Sequence, residues 1–526
     1  MVHQLPLCRR SGHGVFQRRN RRVDCRAQVP SRPPSPRGTA LRSKKNSAGI
    51  LPQFEQLWNE CRPSFDQHRV AARAETLALS SLLALGRHTV TGLLTTSGSQ
   101  FEDWSAAYRL FSQGRLPVSD LFSVIRHAVT AQLPDDAPFR AVMDDTLLRR
   151  SGLHTPGVAW RRDPLGPHFQ TNFVRGQRFL QISASLPGDQ GVFRLAPIAF
   201  LHAPTPPKPK RDASEADLAQ YRLDVNSSRL SLRGAEQMIA LRQSLDQDVG
   251  SKLRILLLAF DGGYTNSTVL KKTPPRTVCV GRIRQDAKLY APPDPALSKA
   301  RGRRLCYGEA VPTPEQLRTD DSQPWQTMSF VHSGMTHTLR YKQRSNLLWR
   351  AAGADRLLQL LVIAPLAYRL RKGSKLLYRR PAFLICTDPT LDPRPIIETY
   401  FQRWDIEVNF RDEKTLLGVG QAQVRNEASV ESAPAFAVAA YSMLLVAGQR
   451  AFGCSTEGLL PPPKWAAHSP GARTSTQQLL HQLRAEVWGR GLGIDHFSGF
   501  ASDLSAITKP EKCSSSLVSA VCYANG

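Results

Sequence analysis

The stretch Leu253-Arg-Ile-Leu-Leu-Leu-Ala-Phe260-Asp261-Gly-Gly263 is almost uninterrupted in its apolar character until it closes on an acid and a double glycine. Continuous apolarity indicates a strand covered on both faces, which is typical of the centre of an α/β sheet. In open α/β sheets, sites form beyond the carboxyl ends of the strands. The stretch therefore predicts an α/β fold with Asp261 at a site, although an ordinary aspartate that opens a turn would give the same local pattern.

A second acidic strand end lies upstream, in Phe139-Arg-Ala-Val-Met-Asp144-Asp145-Thr146. Its short apolar run closes on paired acids, which indicates a buried strand that delivers carboxylates at its end. Taken singly, this pair could also open an ordinary turn. Together, the two strand ends place Asp145 and Asp261 at the same edge of the predicted sheet.

A third acid lies on a predicted helix. In Tyr400-Phe-Gln-Arg403-Trp-Asp-Ile-Glu407 and at Lys414, a phenol, a guanidinium, a carboxylate and an ammonium fall within about 60° of one another around the helix axis. The apolar residues of the neighbouring stripe, which a packed helix requires, are Ile397, Phe401, Trp404 and Val408. A lone acid beside two cations also occurs in surface salt-bridge ladders. It is the two acidic strand ends that favour a site here.

The charge balance indicates the class of partner. The chain has 70 Lys and Arg residues against 43 Asp and Glu residues, a formal net charge of +27. Such an excess is the electrostatic footprint of a nucleic-acid binder. Carboxylates that cluster without His or Cys partners suit Mg²⁺ or Mn²⁺, and two such ions support phosphoryl displacement.

The motifs resemble a known family at this point. The spacing Tyr400-x2-Arg403-x3-Glu407-x6-Lys414 resembles the Tyr-Arg-Glu-Lys signature of bacterial insertion-sequence transposases with an Asp-Asp-Glu (DDE) triad and a ribonuclease-H-like core. Asp144-Asp145-Thr146 is similar to the first-acid motif of that family, and Asp261-Gly-Gly-Tyr264 is similar to the second. The resemblance covers about residues 70–450.

The resemblance implies a role for each matched residue. The implied catalytic acids, which would also be the ligands of two Mg²⁺ or Mn²⁺ ions, are Asp145, Asp261 and Glu407. The implied contacts to DNA phosphates near the cleaved end are Tyr400, Arg403 and Lys414. For the first acid we prefer Asp145, because the acid of the family directly precedes a threonine, and Asp144 remains the alternative.

The resemblance also implies an activity. A cut-and-paste transposase cleaves at the terminal inverted repeats of its element and joins the freed 3′-OH to target DNA. Bringing two ends together implies at least a homodimer, and the expected location is the bacterial cytoplasm. Two alternatives stay open: an inactive relic that only binds DNA, and a standalone Mg²⁺-dependent DNA endonuclease that never joins strands.

Composition and pattern predict the domain organisation. The predicted parts are a disordered basic arm (1–50), a helical DNA-binding region (51–134), a ribonuclease-H-like core (135–450) with a β-rich insertion at about 275–390, and a polar C-terminal tail (451–526). The arm is alternatively extra translation from an upstream start codon. Within the core, the Pro/Lys-rich loop Pro204–Arg211 precedes an amphipathic helical region, Ala216–Leu245.

Two further patterns exclude classes of protein. The nine cysteines include no C-x2-C pair, which argues against a structural zinc site and fits a reducing cytosol. The uncharged stretch Ser432–Gln449 falls at the short edge of membrane-spanning length. Because Pro434 interrupts it and Ala dominates its first half, we interpret it as a buried helix behind the catalytic sheet, and we predict no membrane partner.

Overall fold

The computed structural model describes residues 49–152, 155–163, 166, 169–188, 191–294, 305–332, 335–370, 373–453, 459–460, 473–492 and 521. The predicted basic arm, except for its last two residues, lies outside this range. Residues 162–173 belong to a compact unit separate from the main one. Within that unit the Asp163 N–H donates to the carbonyl of Asn172 at 2.8 Å.

The secondary structure is mixed. The α-helices are α1 (Ile50–Cys61), α2 (His68–Leu83), α3 (Val90–Thr96), α4 (Ser105–Ser112), α5 (Val118–Thr130), α6 (Glu215–Ser227), α7 (Leu230–Gln247), α8 (Ser267–Leu270), α9 (Pro314–Thr319), α10 (Pro393–Gln402), α11 (Asp405–Thr415), α12 (Glu427–Phe452) and α13 (Thr476–Leu492). The strands are β1 (Phe139–Arg149), β2 (Ala159–Arg162), β3 (Phe173–Pro187), β4 (Phe193–His202), β5 (Leu256–Phe260), β6 (Thr277–Arg282), β7 (Gln326–His332), β8 (Met335–Trp349), β9 (Gly353–Ile363), β10 (Ala367–Tyr368), β11 (Leu377–Tyr378) and β12 (Ala382–Cys386).

Within the described part of the chain, ten strands form one sheet in the order β2-β3-β1-β5-β6-β12-β9-β8-β7, with β4 also paired to β3. Strand β3 lies between β4 and β1 and is antiparallel to both, and β5 and β6 run parallel to β1. The remaining strands, from β6 to β7, pair in antiparallel fashion. The predicted α/β class is therefore confirmed as a mixed sheet. Most strands of the predicted insertion continue that same sheet, while β10 and β11 pair with each other in a separate two-stranded sheet.

Strand β5 occupies the centre that its sequence predicts. All five of its residues are buried, and parallel neighbours flank it on both sides. The strand begins at Leu256, three residues later than the apolar run, because Leu253 and Ile255 are 78% and 44% exposed. Asp261 follows its last residue directly, in a turn that the Tyr264 N–H closes by donating to the Asp261 carbonyl at 3.0 Å.

Strand β1 continues beyond the paired acids, which corrects the prediction that it ends there. Its parallel pairing with β5 stops at Met143 opposite Phe260, but its antiparallel pairing with β3 runs on to Arg149. The acids therefore lie inside a strand and at the end of the parallel pairing. Because side chains alternate between faces along a strand, Asp144 and Asp145 point to opposite sides of the sheet.

The two faces of the sheet carry different helices. Val142 and Leu257 pack in one apolar cluster with Ile396 of α10 and Ile406 of α11. On the opposite face, the side chain of Met143 approaches Gly234 of α7 so closely that a Cβ there would lie 3.3 Å from it. Helices α10 and α11 therefore cover the face to which Val142 and Asp144 point.

The predicted catalytic helix is divided into two. Helix α10 ends at Gln402, α11 begins at Asp405, and Arg403 and Trp404 form a turn between them. The continuous apolar stripe predicted along this segment is corrected, since Trp404 is 54% exposed. The helical region Ala216–Leu245 is likewise divided, into α6 and α7.

Helix α12 confirms the interpretation of the uncharged stretch as a buried helix. It is long and apolar enough to cross a membrane by length and composition, but 83% of its most apolar window is buried in the protein. It packs on β4 and on the helices α1, α2, α4 and α5. The Ser442 hydroxyl also donates to the carbonyl of Pro197 in β4 at 2.6 Å.

The described part of the predicted polar tail is a core element, which corrects that prediction. Helix α13 packs against α1, α2 and α12 and buries Leu479, Leu480 and Leu483. Its Glu486 carboxylate accepts hydrogen bonds from the backbone N–H groups of Ile50 and Leu51 at 3.0 and 2.7 Å. The first turn of α1 is thereby capped from the far end of the chain.

Candidate active site

Asp144 joins the face of the sheet that carries α10 and α11. Two residues earlier on the same face lies Val142, and Arg140 before it pairs with Glu398 of α10 at 3.3 Å. The Asp144 carboxylate itself accepts a hydrogen bond from the Arg403 guanidinium at 3.3 Å, and both side chains are mostly buried. The β1 acid that meets the predicted catalytic helices is therefore Asp144.

Arg403 is the residue on which the acids of this face converge. Burial disfavours its charge, but Tyr400 and the carboxylates of Asp144, Asp261 and Glu407 outweigh burial and hold the pKa of Arg403 above its usual value. These acids come from β1, the turn after β5 and α11. The structure thus brings Asp261 and Glu407 into one electrostatic cluster with Asp144.

The acidity of Asp144 reflects its neighbours. Burial raises the pKa of its carboxyl to about 7, against the hydrogen bond that the Asp145 backbone N–H donates to it at 2.8 Å. The charges of Asp145 and Glu407 raise the pKa further, and Arg403 lowers it. A buried acid among other acids holds its proton near neutral pH unless a cation replaces that proton.

Asp145 lies on the other face and has different partners. Its carboxylate pairs with Arg178 of β3 at 3.3 Å and accepts a hydrogen bond from the Tyr264 hydroxyl at 3.1 Å. Burial raises the pKa of Asp145, while Arg178, Tyr264 and Arg161 oppose that rise. The preference for Asp145 over Asp144 as the first acid therefore lacks support from the placement of these side chains.

The three predicted phosphate contacts lie on α10, α11 and the turn between them. The Arg403 guanidinium stacks over the Tyr400 ring, 5.8 Å from its centroid, and the Lys414 ammonium lies 5.9 Å from the centroid of Phe410. Glu407 and Lys414 are both exposed. This arrangement leaves an acid and a cation of α11 open to a ligand from solvent.

The donor atoms at this face suit a hard divalent cation, because all are carboxylate oxygens. Within the described residues, however, no three acidic, His or Cys side chains converge closely enough to hold a metal ion as they stand. The Arg403 guanidinium lies among the acids instead. The carboxylates of this face are chemically suited to bind Mg²⁺ or Mn²⁺, and in this structure the Arg403 guanidinium balances their negative charge.

Sequence reasoning missed three arginines near these acids. Arg282, exposed at the end of β6, acts on Tyr400 together with Asp261. Arg178 and Arg161 surround Asp145 on the other face. Each lies in a β-like stretch outside the motifs that carry the acids, so no local pattern links it to them. Only the pairing of the strands brings these cations to the acids.

Comparison with known protein families identifies the family of this chain. The family model described as "DDE superfamily endonuclease" matches residues 60–355, more than half of the chain. The match includes both acidic strand segments and ends before the helix that carries Glu407. No curated protein matches the sequence significantly. The mixed α/β fold and the matched region agree, and the chain belongs to the DDE superfamily endonuclease family, whose members are nuclease-type enzymes acting on DNA.

Proposed function

We propose that this protein is a DNA transposase of the insertion-sequence type with the Tyr-Arg-Glu-Lys signature. The observation that carries the proposal is the cluster of Asp144, Asp261 and Glu407 around Arg403 on one face of the sheet. It lies where the parallel strands β1 and β5 stop pairing, at the end of a sheet where sites form.

The proposed core is ribonuclease-H-like. Support comes from the strand order β4-β3-β1-β5-β6, in which β3 is antiparallel to β1 while β5 and β6 are parallel to it. On this reading, β7, β8, β9 and β12 belong to the insertion that precedes the helix with the third acid.

We assign the first catalytic acid to Asp144 instead of Asp145. Asp144 contacts Arg403 and senses the charge of Glu407. Asp145 is occupied by Arg178 and Tyr264 on the opposite face. The proposed ligands of two Mg²⁺ or Mn²⁺ ions are then Asp144, Asp261 and Glu407.

Bound ions of this kind activate an attacking oxygen and stabilise a leaving oxygen in phosphoryl displacement. The chain itself would bind and orient the DNA. The Arg403 guanidinium presents a planar fork that matches a phosphate, and Tyr400 holds that fork by stacking. Lys414 adds a point charge on the exposed side of α11. Two DNA ends and a target imply at least a homodimer, acting in the bacterial cytoplasm.

The test uses the DNA that flanks the gene. Purified protein is incubated with a plasmid carrying those flanks in Mg²⁺, beside the Glu407→Gln variant. We expect an excised fragment and products joined to target DNA with the wild type only. Cleavage without joined products would favour a standalone endonuclease. Binding to the ends without cleavage, equal in both proteins, would leave a DNA-binding relic and overturn the catalytic assignment.

A further inference from the structure

Two arginines share one carboxylate on the face of the sheet away from Glu407. Arg178 pairs with Asp145 at 3.3 Å, and Asp145 also acts on Arg161. Burial and then the charge of Arg178 lower the pKa of Arg161 to about 10, against the attraction of Asp145. Like charges held this close leave a net positive centre that a further anion would stabilise.

The Arg161 guanidinium has one hydrogen-bond partner in the loop after β4, and one of its donors has none among the described residues. Its guanidinium donates to the Thr205 hydroxyl. Its Nε is buried and has no hydrogen-bond partner among the described residues. One edge of the guanidinium is therefore fixed by protein, while another donor is left without an acceptor.

Thr205 begins the Pro/Lys-rich loop after β4, and that loop extends the positive charge to the surface. Lys208, Lys210 and Arg211 are all exposed in it. The acids that oppose these cations are Asp145 and the exposed Asp212, Glu215 and Asp217. We call Arg161, Arg178, Lys208, Lys210 and Arg211 the basic edge.

An exposed aromatic side chain lies beside Arg161 in the sequence but on the other face of the sheet. Trp160, which directly precedes Arg161 in β2, is 67% exposed. The Arg175 guanidinium lies over its ring, 5.9 Å from the centroid. Because side chains alternate between faces along a strand, Trp160 and Arg175 are not part of the basic edge.

We propose that the basic edge is a second DNA-binding surface, separate from the Tyr400, Arg403 and Lys414 group, and that Asp145 positions its arginines. It holds backbone phosphates of the DNA that continues past the cleaved bond. This inference rests on the proposed function, because the DNA held by the basic edge is the DNA that the proposed enzyme cleaves.

The first experiment measures affinity for a short fluorescent DNA duplex by anisotropy over a salt series, in EDTA, with the full chain. The test variant is Lys208→Ala/Lys210→Ala, which removes two exposed charges. Its matched control is Lys271→Ala/Lys272→Ala, which removes two exposed charges before β6, at the opposite end of the sheet. We expect the slope of log affinity against log salt to fall by about two in the test variant and to stay unchanged in the control.

A second pair of variants tests the arginine cluster. Arg178→Gln should reduce the same slope by about one, since one phosphate contact is lost. Arg318→Gln, which breaks an exposed ion pair with Glu315, should not. Circular dichroism verifies that each variant is folded. Equal slopes in test and control variants would overturn the inference.

The outcome for the basic edge is distinguishable from the outcome for the proposed function. If the slopes are equal and Glu407→Gln abolishes cleavage, the basic edge is not a DNA-binding surface but the proposed transposase activity is supported. If the slopes are reduced and the wild type does not cleave DNA, the basic edge is a DNA-binding surface but the proposed enzymatic activity is contradicted.

Discussion

Asp144 and Asp145 are neighbours in the chain and point to opposite faces of the sheet. One meets Arg403 at 3.3 Å and the other meets Arg178 at the same distance. Two adjacent carboxyls thus have different partners, because consecutive side chains in a strand point to opposite faces of the sheet. We expect one to serve cleavage and the other to serve the placement of cations.

Replacing Asp144 or Asp145 by asparagine distinguishes a role in cleavage from a role in positioning cations. Asp144→Asn should lower the rate of Mg²⁺-dependent cleavage at saturating DNA by more than about 100-fold, since even indirect partners of metal ligands contribute 10–100-fold. Asp145→Asn should keep that rate within about 10-fold and act mainly on KM, as expected for uniform binding of the substrate. Cleavage of labelled DNA measures both. The reverse order would return the first acid to Asp145.

Glu413 on α11 carries a pH dependence of stability. Its side chain is 1% exposed, and burial raises its pKa from 4.5 to about 8, partly opposed by Gln181 and Lys414. Between these values the folded state binds more protons than the unfolded chain. The free energy of unfolding therefore falls as pH rises through this window and is level on either side of it.

Glu413→Gln should remove this decline. The variant should gain on the wild type as pH rises from about 4.5 to 8, by up to about 3 kcal/mol at neutral pH. Urea unfolding at several pH values measures the difference, and Glu236→Gln, an exposed glutamate on α7, is the control for charge loss alone. A difference independent of pH would contradict the assignment.

At the scale of elements, α11 is fixed from behind by the segment that leads into α13. Asp405 at its start pairs with Arg473, and Asp412 accepts a hydrogen bond from the Thr476 hydroxyl at 2.7 Å. These contacts leave Glu407 and Lys414 on the exposed side. The orientation of the helix that carries Glu407 thus depends on residues about 70 positions later in the chain.

Thr476→Val should destabilise the protein by about 1–3 kcal/mol, because it leaves a buried carboxyl oxygen of Asp412 without its donor. Thr476→Ser keeps a hydroxyl at the same place and should lose much less. The free energy of unfolding in urea compares the two. A larger loss in Thr476→Ser than in Thr476→Val would mean that packing of the methyl group, and not the hydrogen bond, matters here.

Local patterns predicted some elements and not others. The β5 run and the buried α12 segment are visible in sequence because apolarity is a local property. The break at Arg403 and Trp404 is not, since helical periodicity persists across a single turn. Similarly, Asp261, Glu407 and Arg403 could be found from motifs. The choice between Asp144 and Asp145, and the presence of Arg178, depend on strand pairing, which no local pattern encodes.

At the scale of the whole molecule, the chain has a net charge of +27, and within the described residues cations flank a small acidic centre on both faces of the sheet. The sheet end holds Asp144, Asp145 and Asp261, with Arg403 on one face and Arg178 on the other. Cations on both sides of an acidic centre can hold a polyanion across it, while the acids remain for a divalent cation. This is the distribution that a DNA-cleaving enzyme requires.

The carboxylate of Glu486 that caps α1 also has a consequence for synthesis. Helix α1 emerges from the ribosome early, but its cap and much of the packing surface that α13 provides are translated more than 400 residues later. Proteins fold as they are made where contacts are local. Here the helical layer cannot close until α13 has been synthesised, so α1 has to wait for its cap.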